Sequence, residues 1–200
     1  KSILKNNSCQ KQKTESHDLV YSNQNQESSI GDYIPNNLVD IKKYITTYGA
    51  STCLTRKTAD TLIMLLDDSK KVGMNIVMTS GYRSYNYQKI LFNNWNNSNL
   101  GYSGYPLVAK PGHSEHQLGT AVDIQSGNLN FNNFSETDEF IWMKENAHKY
   151  GFVLSYPENK ENITGYRPEA WHWRYVGKDM AIKIKEGGLT TMEFLKNLGD

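Results

Sequence analysis

In Ser114-Glu115-His116-Gln117-Leu118-Gly119-Thr120-Ala121-Val122-Asp123 an imidazole and a carboxylate flank a glycine at the entrance to a strand-like run. Thr120 to Ile124 reads as a strand, with His116 just before it and Asp123 on it. Gly119 permits the tight backbone between them. His172 sits in Glu169-Ala170-Trp171-His172-Trp173, and Trp171 to Val176 reads as a neighbouring strand. The three side chains then span one sheet. Two imidazoles and a carboxylate are the ligand set of a catalytic zinc with an open fourth position. Glu169 lies on the turn into the second strand, where it can point at a water in that position without being a ligand. Such a carboxylate can shuttle a proton. Arg83, in Ser80-Gly81-Tyr82-Arg83-Ser84, follows a buried strand at a helix start. A guanidinium fixed there can hold a carboxylate or a developing oxyanion.

Spacing alone leaves plainer readings open. Asp123 also fits a strand-end carboxylate bonded to a turn, Glu169 a turn carboxylate, and Arg83 a structural ion pair. Trp171 and Trp173 also fit plain core. His113 forms a His-x-x-His pair with His116 and is a second ligand candidate. His17 and His148 read as ordinary surface or satisfied residues.

Working outward, Asn37 to Asp40 reads as a strand or turn entry, with order beginning near Tyr33-Ile34-Pro35. Thr55 to Val72 reads as a helix capped by Thr55, with Ala59, Leu62, Ile63, Leu66 and Ser69 on one face. Asn75 to Thr79 is a buried strand. Ser84 caps a helix through Tyr87, Ile90, Leu91 and Trp95, and Asn93 to Gly104 is a polar loop. Ser135 starts a third helix that Gly151 stops. Phe152 to Leu154 is a strand, and helices at Lys178–Glu186 and Thr190–Leu198 follow. Strands spaced this irregularly do not suit a doubly wound sheet. They point to an α+β domain on a small antiparallel sheet flanked by helices.

The chain has 200 residues, 22 Lys+Arg against 21 Asp+Glu, and 38% hydrophobic residues. A net charge of +1 provides no basic field for nucleic acid or anionic lipid. The longest apolar run, Leu62 to Leu66, is too short to cross a bilayer. Residues 1–29 are polar and aperiodic, so they read as a flexible tail or linker and residues 30–200 as the folded domain. No apolar leader follows Lys1, and the surroundings of Cys9 lack a lipid-attachment pattern, so the chain reads as a mature or trimmed form. Cys9 and Cys53 exclude a cysteine-built zinc site and admit either one disulfide or two unlinked thiols.

Taken together, three segments resemble the VanY-type D-alanyl-D-alanine carboxypeptidases. They are Ser80 to Ser84 with Gln88, Pro111-Gly112-His113 continuing into Ser114 to Asp123, and Gly165-Tyr166 with Glu169 to Gly177. The likeness runs from about Asn37 to Leu198 and leaves the tail outside. It implies the fold shared by lysostaphin-type peptidases, D-Ala-D-Ala metallopeptidases and the hedgehog signalling domain. It also implies one Zn2+ held by His116, Asp123 and His172, with Glu169 as general base and then acid. Arg83 would stabilise the carbonyl oxygen or orient the peptide. Ser114, Gln88, Tyr82 and Trp171 would line the substrate cleft, around which Tyr85, Tyr87, Trp173 and Tyr175 are also expected.

The implied substrate is the peptidoglycan stem peptide, trimmed of its terminal D-Ala by an extracytoplasmic enzyme, secreted or tethered at the bacterial envelope. The same motifs also serve L,D-carboxypeptidases acting on tetrapeptide stems, related endopeptidases and cytoplasmic dipeptidases. A non-catalytic zinc module on this fold is the alternative of a different class, and it has no need of Glu169 and Arg83. Oligomeric state is not legible.

Overall fold

The computed structural model describes Cys9 and residues 27–49, 51–99, 104–127 and 131–199. A short ribbon comes first: β1 (Leu38–Asp40) pairs antiparallel with β2 (Cys53–Thr55). Helix α1 (Arg56–Lys71) leads to β3 (Ile76–Ser80) and α2 (Tyr85–Ser98). Then come β4 (Ala121–Ser126), α3 (Asp138–Asn146), β5 (Phe152–Leu154) and a single turn, α4 (Glu161–Thr164). The chain closes with β6 (His172–Tyr175), α5 (Lys178–Gly187) and α6 (Thr191–Gly199). The main sheet is antiparallel throughout, in the order β3-β4-β6-β5, so the α+β class expected from the sequence is the one observed.

Strand alternation divides this sheet into two faces. Ile76, Met78, Val122, Ile124, Phe152, Trp173 and Tyr175 belong to one buried cluster with Leu62, Leu65 and Leu66 of α1 and Met143 of α3. Burying each of those leucines contributes about 1.5–3 kcal/mol. The intervening residues Asp123, His172 and Arg174 face the other side, yet they too are buried. All six residues of β4 are buried, so the site is recessed and not on an open face.

Four local expectations change. Thr55 precedes α1 without capping it: its hydroxyl lies 2.8 Å from that of buried Thr58, which takes the place of a backbone N–H. Leu65, not half-buried Ile63, completes the inner face of α1. The polar loop expected from Asn93 is helical as far as Ser98. Side chains hold this weakly propensed end, with Ser98 Oγ donating to the Asn94 carbonyl and Asn99 Nδ2 to that of Trp95; residues 100–103 lie outside the described residues. The third helix begins at Asp138, because Thr137 Oγ1 accepts from the Phe140 N–H at 3.2 Å, and Phe131–Glu136 forms a kinked 3₁₀ segment before it.

Most of the expected tail lies outside the described residues. Its Cys9 is bonded to Cys53 of β2, closing a loop of sequence separation 44. The Ile30 N–H donates to the Gly112 carbonyl at 2.9 Å. Gly119 ends the 3₁₀ turn Glu115–Leu118 at φ 70°, and its carbonyl accepts from the Thr55 N–H at 2.8 Å. A Cβ there would meet Leu38 Cδ2 at 2.9 Å and Thr55 Cγ2 at 3.1 Å. Gly119→Ala combines that crowding with a left-handed backbone, so a loss of about 1–3 kcal/mol is expected in urea melts.

Candidate active site

The 3₁₀ turn presents His116, β4 presents Asp123 and β6 presents His172. The antiparallel register of β4 and β6 sets Asp123 directly opposite His172. Asp123 Oδ1 lies 3.2 Å from His116 Nε2 and 3.1 Å from His172 Nδ1. The two rings meet edge to face with centroids 4.8 Å apart. Among the described residues, this is the group of His, Cys, Asp or Glu side chains whose donor atoms converge, all within 4.8 Å and all buried. His113 is not part of it, and His148 lies elsewhere, on the 3₁₀ turn after α3.

Each imidazole is held from behind. His116 Nδ1 is 2.8 Å from the Gly81 carbonyl, which only accepts, so Nδ1 carries the proton and Nε2 turns its lone pair inward. His172 Nε2 is 2.9 Å from Glu115 Oε2, which leaves Nδ1 facing the centre. Two ring nitrogens and one carboxylate oxygen therefore converge with their rear groups engaged. That donor set fits a divalent metal with an open position.

Burial and neighbouring charge give the site unequal proton affinities. Burial drives Glu169 up to about 8, against the opposing pull of His172. Burial also pushes His116 down to about 4, reinforced by the Arg83 charge. It works against a proton on His172, but hydrogen bonds to Asp123 and Glu115 prevail and raise that ring to about 10. Burial would raise Asp123 as well, yet His116, His172 and Arg83 hold it well below the usual carboxylate range. Glu115 also resists the upward push of burial and sits at about 2, because Arg174 and His172 favour its anion.

Glu169 Oε2 lies 3.8 Å from His172 Nδ1, beside the centre and farther from that nitrogen than Asp123. Arg83 is placed by Ser80, whose Oγ accepts from Nε at 3.2 Å, and its Nη2 reaches Asp123 Oδ2 at 2.6 Å. Its carboxylate partner is thus the second oxygen of a candidate ligand. Tyr82, Gln88, Ser114 and Trp171 line one cavity of about 660 Å³ together with His116, Glu169 and His172. Gln88 is buried and donates from Nε2 to the Ala109 carbonyl at 2.8 Å, so it also pins one wall.

The aromatic surplus divides. Tyr87 lines the cavity, whereas Trp173 and Tyr175 belong to the core on the opposite face. The alternation that aims His172 at the cleft aims both of them away from it. Three features were not legible. Tyr156 tilts against the His172 ring at 4.9 Å, Tyr166 packs on Tyr156 at 5.2 Å, and Glu115 lies behind His172 with Arg174. A signal for the last existed: Arg174 is a cation inside a strand that is buried throughout.

A mononuclear metal site open to a cleft, on an antiparallel sheet with a buried carboxylate beside it, is the class this arrangement defines. The family described as VanY, D-alanyl-D-alanine carboxypeptidase, matches residues 51–178. YodJ of Bacillus subtilis (strain 168), whose name assigns it provisionally to the carboxypeptidases, is 39% identical over 173 residues. These are 84% of this chain and 63% of that protein. The solved LdcB LD-carboxypeptidase is similar at TM-score 0.75 and 35% identity, covering 87% of this chain and 84% of LdcB. A vancomycin-resistance D,D-pentapeptidase VanY, a glutamate-to-alanine mutant in complex with Zn(II), is similar at TM-score 0.73 and 29% identity, covering 88% of this chain and 98% of that one. The chain belongs to the VanY D-alanyl-D-alanine carboxypeptidase family. It spans between 51 and 63% of the length of the curated relatives it matches.

Proposed function

We propose that residues 30–200 form the catalytic domain of a zinc-dependent carboxypeptidase that removes the C-terminal D-alanine from peptidoglycan stem peptides. The observation that carries this reading is the convergence of His116, Asp123 and His172 on one point, with Glu169 beside it lining the cavity. His116, Asp123 and His172 would hold the ion. Bound there, zinc supplies a lowered pKa for water and a Lewis acid for the scissile carbonyl.

The remaining work falls to the chain's own groups. Glu169, buried beside the centre, is placed to take a proton from the attacking water and then give it to the leaving amine of D-Ala. Arg83 orients the peptide or steadies the carbonyl oxygen, and its bond to Asp123 holds its guanidinium at the cavity wall. Ser114, Gln88, Tyr82 and Trp171 contact the stem peptide. Action outside the cytoplasm, at the envelope, is supported by the Cys9–Cys53 disulfide, because such bonds persist in oxidising compartments. No helix among the described residues is long and apolar enough to cross a membrane.

The likeness to LdcB favours a second reading, L,D cleavage of a tetrapeptide stem. Mass spectrometry of defined pentapeptide and tetrapeptide stems, with zinc-loaded and chelator-treated protein, tests both. The D,D reading expects chelator-sensitive loss of one D-Ala from the pentapeptide. Loss from the tetrapeptide alone would overturn it in favour of the second reading, and release from neither would overturn both.

A further inference from the structure

Glu115 is only 1% exposed and takes no place in the converging trio. Both of its oxygens are engaged behind His172. Oε2 accepts from His172 Nε2 at 2.9 Å and from Ser155 Oγ at 2.6 Å, while Oε1 accepts from Arg174 Nη1 at 2.8 Å. All three partners are donors, so an acceptor-only carboxylate satisfies them and an amide would turn its NH2 toward one of them.

The two imidazoles of the site use opposite nitrogens. His116 is fixed by a neutral backbone carbonyl and presents Nε2. His172 presents Nδ1, which is 3.1 Å from Asp123 Oδ1, and its Nε2 meets a charged side chain. A neutral imidazole has one N–H, and the acceptor behind the ring decides where it resides. Without Glu115, the N–H of His172 is free to move to Nδ1, where it bonds to Asp123 and blocks the lone pair the metal needs.

We propose that Glu115 is a positioning residue for the metal. It keeps the His172 proton on Nε2, fixes the ring plane and strengthens Nδ1 as a donor, and Arg174 and Ser155 hold Glu115 in place. This rests on the ligand assignment made under the proposed function. The competing view is that Glu115 serves only as counter-ion to buried Arg174.

The test uses the zinc-loaded chain, with folding checked by circular dichroism. Zinc dissociation constants are measured by chelator competition, and the ring nitrogens of His172 by ¹⁵N-detected NMR. Glu115→Gln is expected to weaken zinc binding about 10–100-fold and to weaken or abolish the His172 Nε2–H signal. Should the single variant not fold, Glu115→Gln combined with Arg174→Met removes the buried cation and carries the same test. Positioning expects zinc to stay weak in the double variant. A counter-ion role expects wild-type affinity and an intact Nε2–H signal there, and that result would overturn the proposal. His172→Ala separates the two levels: wild-type zinc affinity in that variant defeats the ligand assignment itself. Lost affinity there, with unchanged affinity in both Glu115 variants, defeats only the role of Glu115.

Discussion

Glu169→Gln is expected to lower turnover of a D-Ala-terminated stem pentapeptide by about 10²–10⁴-fold while leaving one zinc per chain. The amide has the shape of the carboxyl group but cannot accept the proton of the attacking water or deliver it to the leaving nitrogen. Zinc is retained because Glu169 lies 3.8 Å from His172 Nδ1, whereas Asp123 Oδ1 bridges both imidazoles at 3.1 and 3.2 Å. The fold is retained as well. In the metal-free protein burial raises Glu169 to about 8, so that fold already accommodates a neutral side chain there at neutral pH. Rapid-quench mass spectrometry for D-Ala release, with metal analysis of the same samples, checks both halves. Turnover within threefold of the parent would remove Glu169 from its role. Loss of zinc would make it a ligand.

The candidate ligand trio was readable as residue types on one strand run and its neighbour, and the resemblance to the VanY-type family singled it out from the plainer readings that spacing left open. His172 was expected on a strand neighbouring that of Asp123, and the register sets the two directly opposite each other. Period-two alternation should have sent Trp173 and Tyr175 to the core, but counting aromatics near a motif overrode it. Glu115 lay inside the motif itself. Its role depends on Arg174 and Ser155, 59 and 40 residues away, and no local pattern ties these together. β2 escaped notice because three residues carry no period and its partner β1 is equally short. The end of α2 escaped because its asparagines favour loops, whereas Ser98 and Asn99 bond their side chains back to its carbonyls.

The chelator-treated protein is expected to be most stable between about pH 4.5 and 6.5, and the buried site groups determine both limbs. Glu115 (unfolded 4.5, folded about 2) and His116 (unfolded 6.5, folded about 4) hold fewer protons when folded. Asp123, held below 3.8, behaves likewise. Their contributions are present above the unfolded values and are lost as pH falls through the folded ones. Glu169 (unfolded 4.5, folded about 8) and His172 (unfolded 6.5, folded about 10) hold more protons when folded. Their contributions are present below the unfolded values and are lost as pH rises through the folded ones. From 4.5 to 6.5 the gain from His116 and the loss from Glu169 oppose each other, which makes the plateau. Each uncompensated proton is worth about 1.4 kcal/mol per pH unit, so Glu169 and His172 together should remove roughly 4 kcal/mol between pH 6.5 and 8. Urea melts across this range would read the limb directly, and stability rising from 6.5 to 8 would refute the assignment. Zinc should abolish the share due to His172, because the ion occupies the nitrogen from which the proton is lost. Glu169→Gln should independently remove the other share, leaving the metal-free variant with about half the parental slope between pH 6.5 and 8.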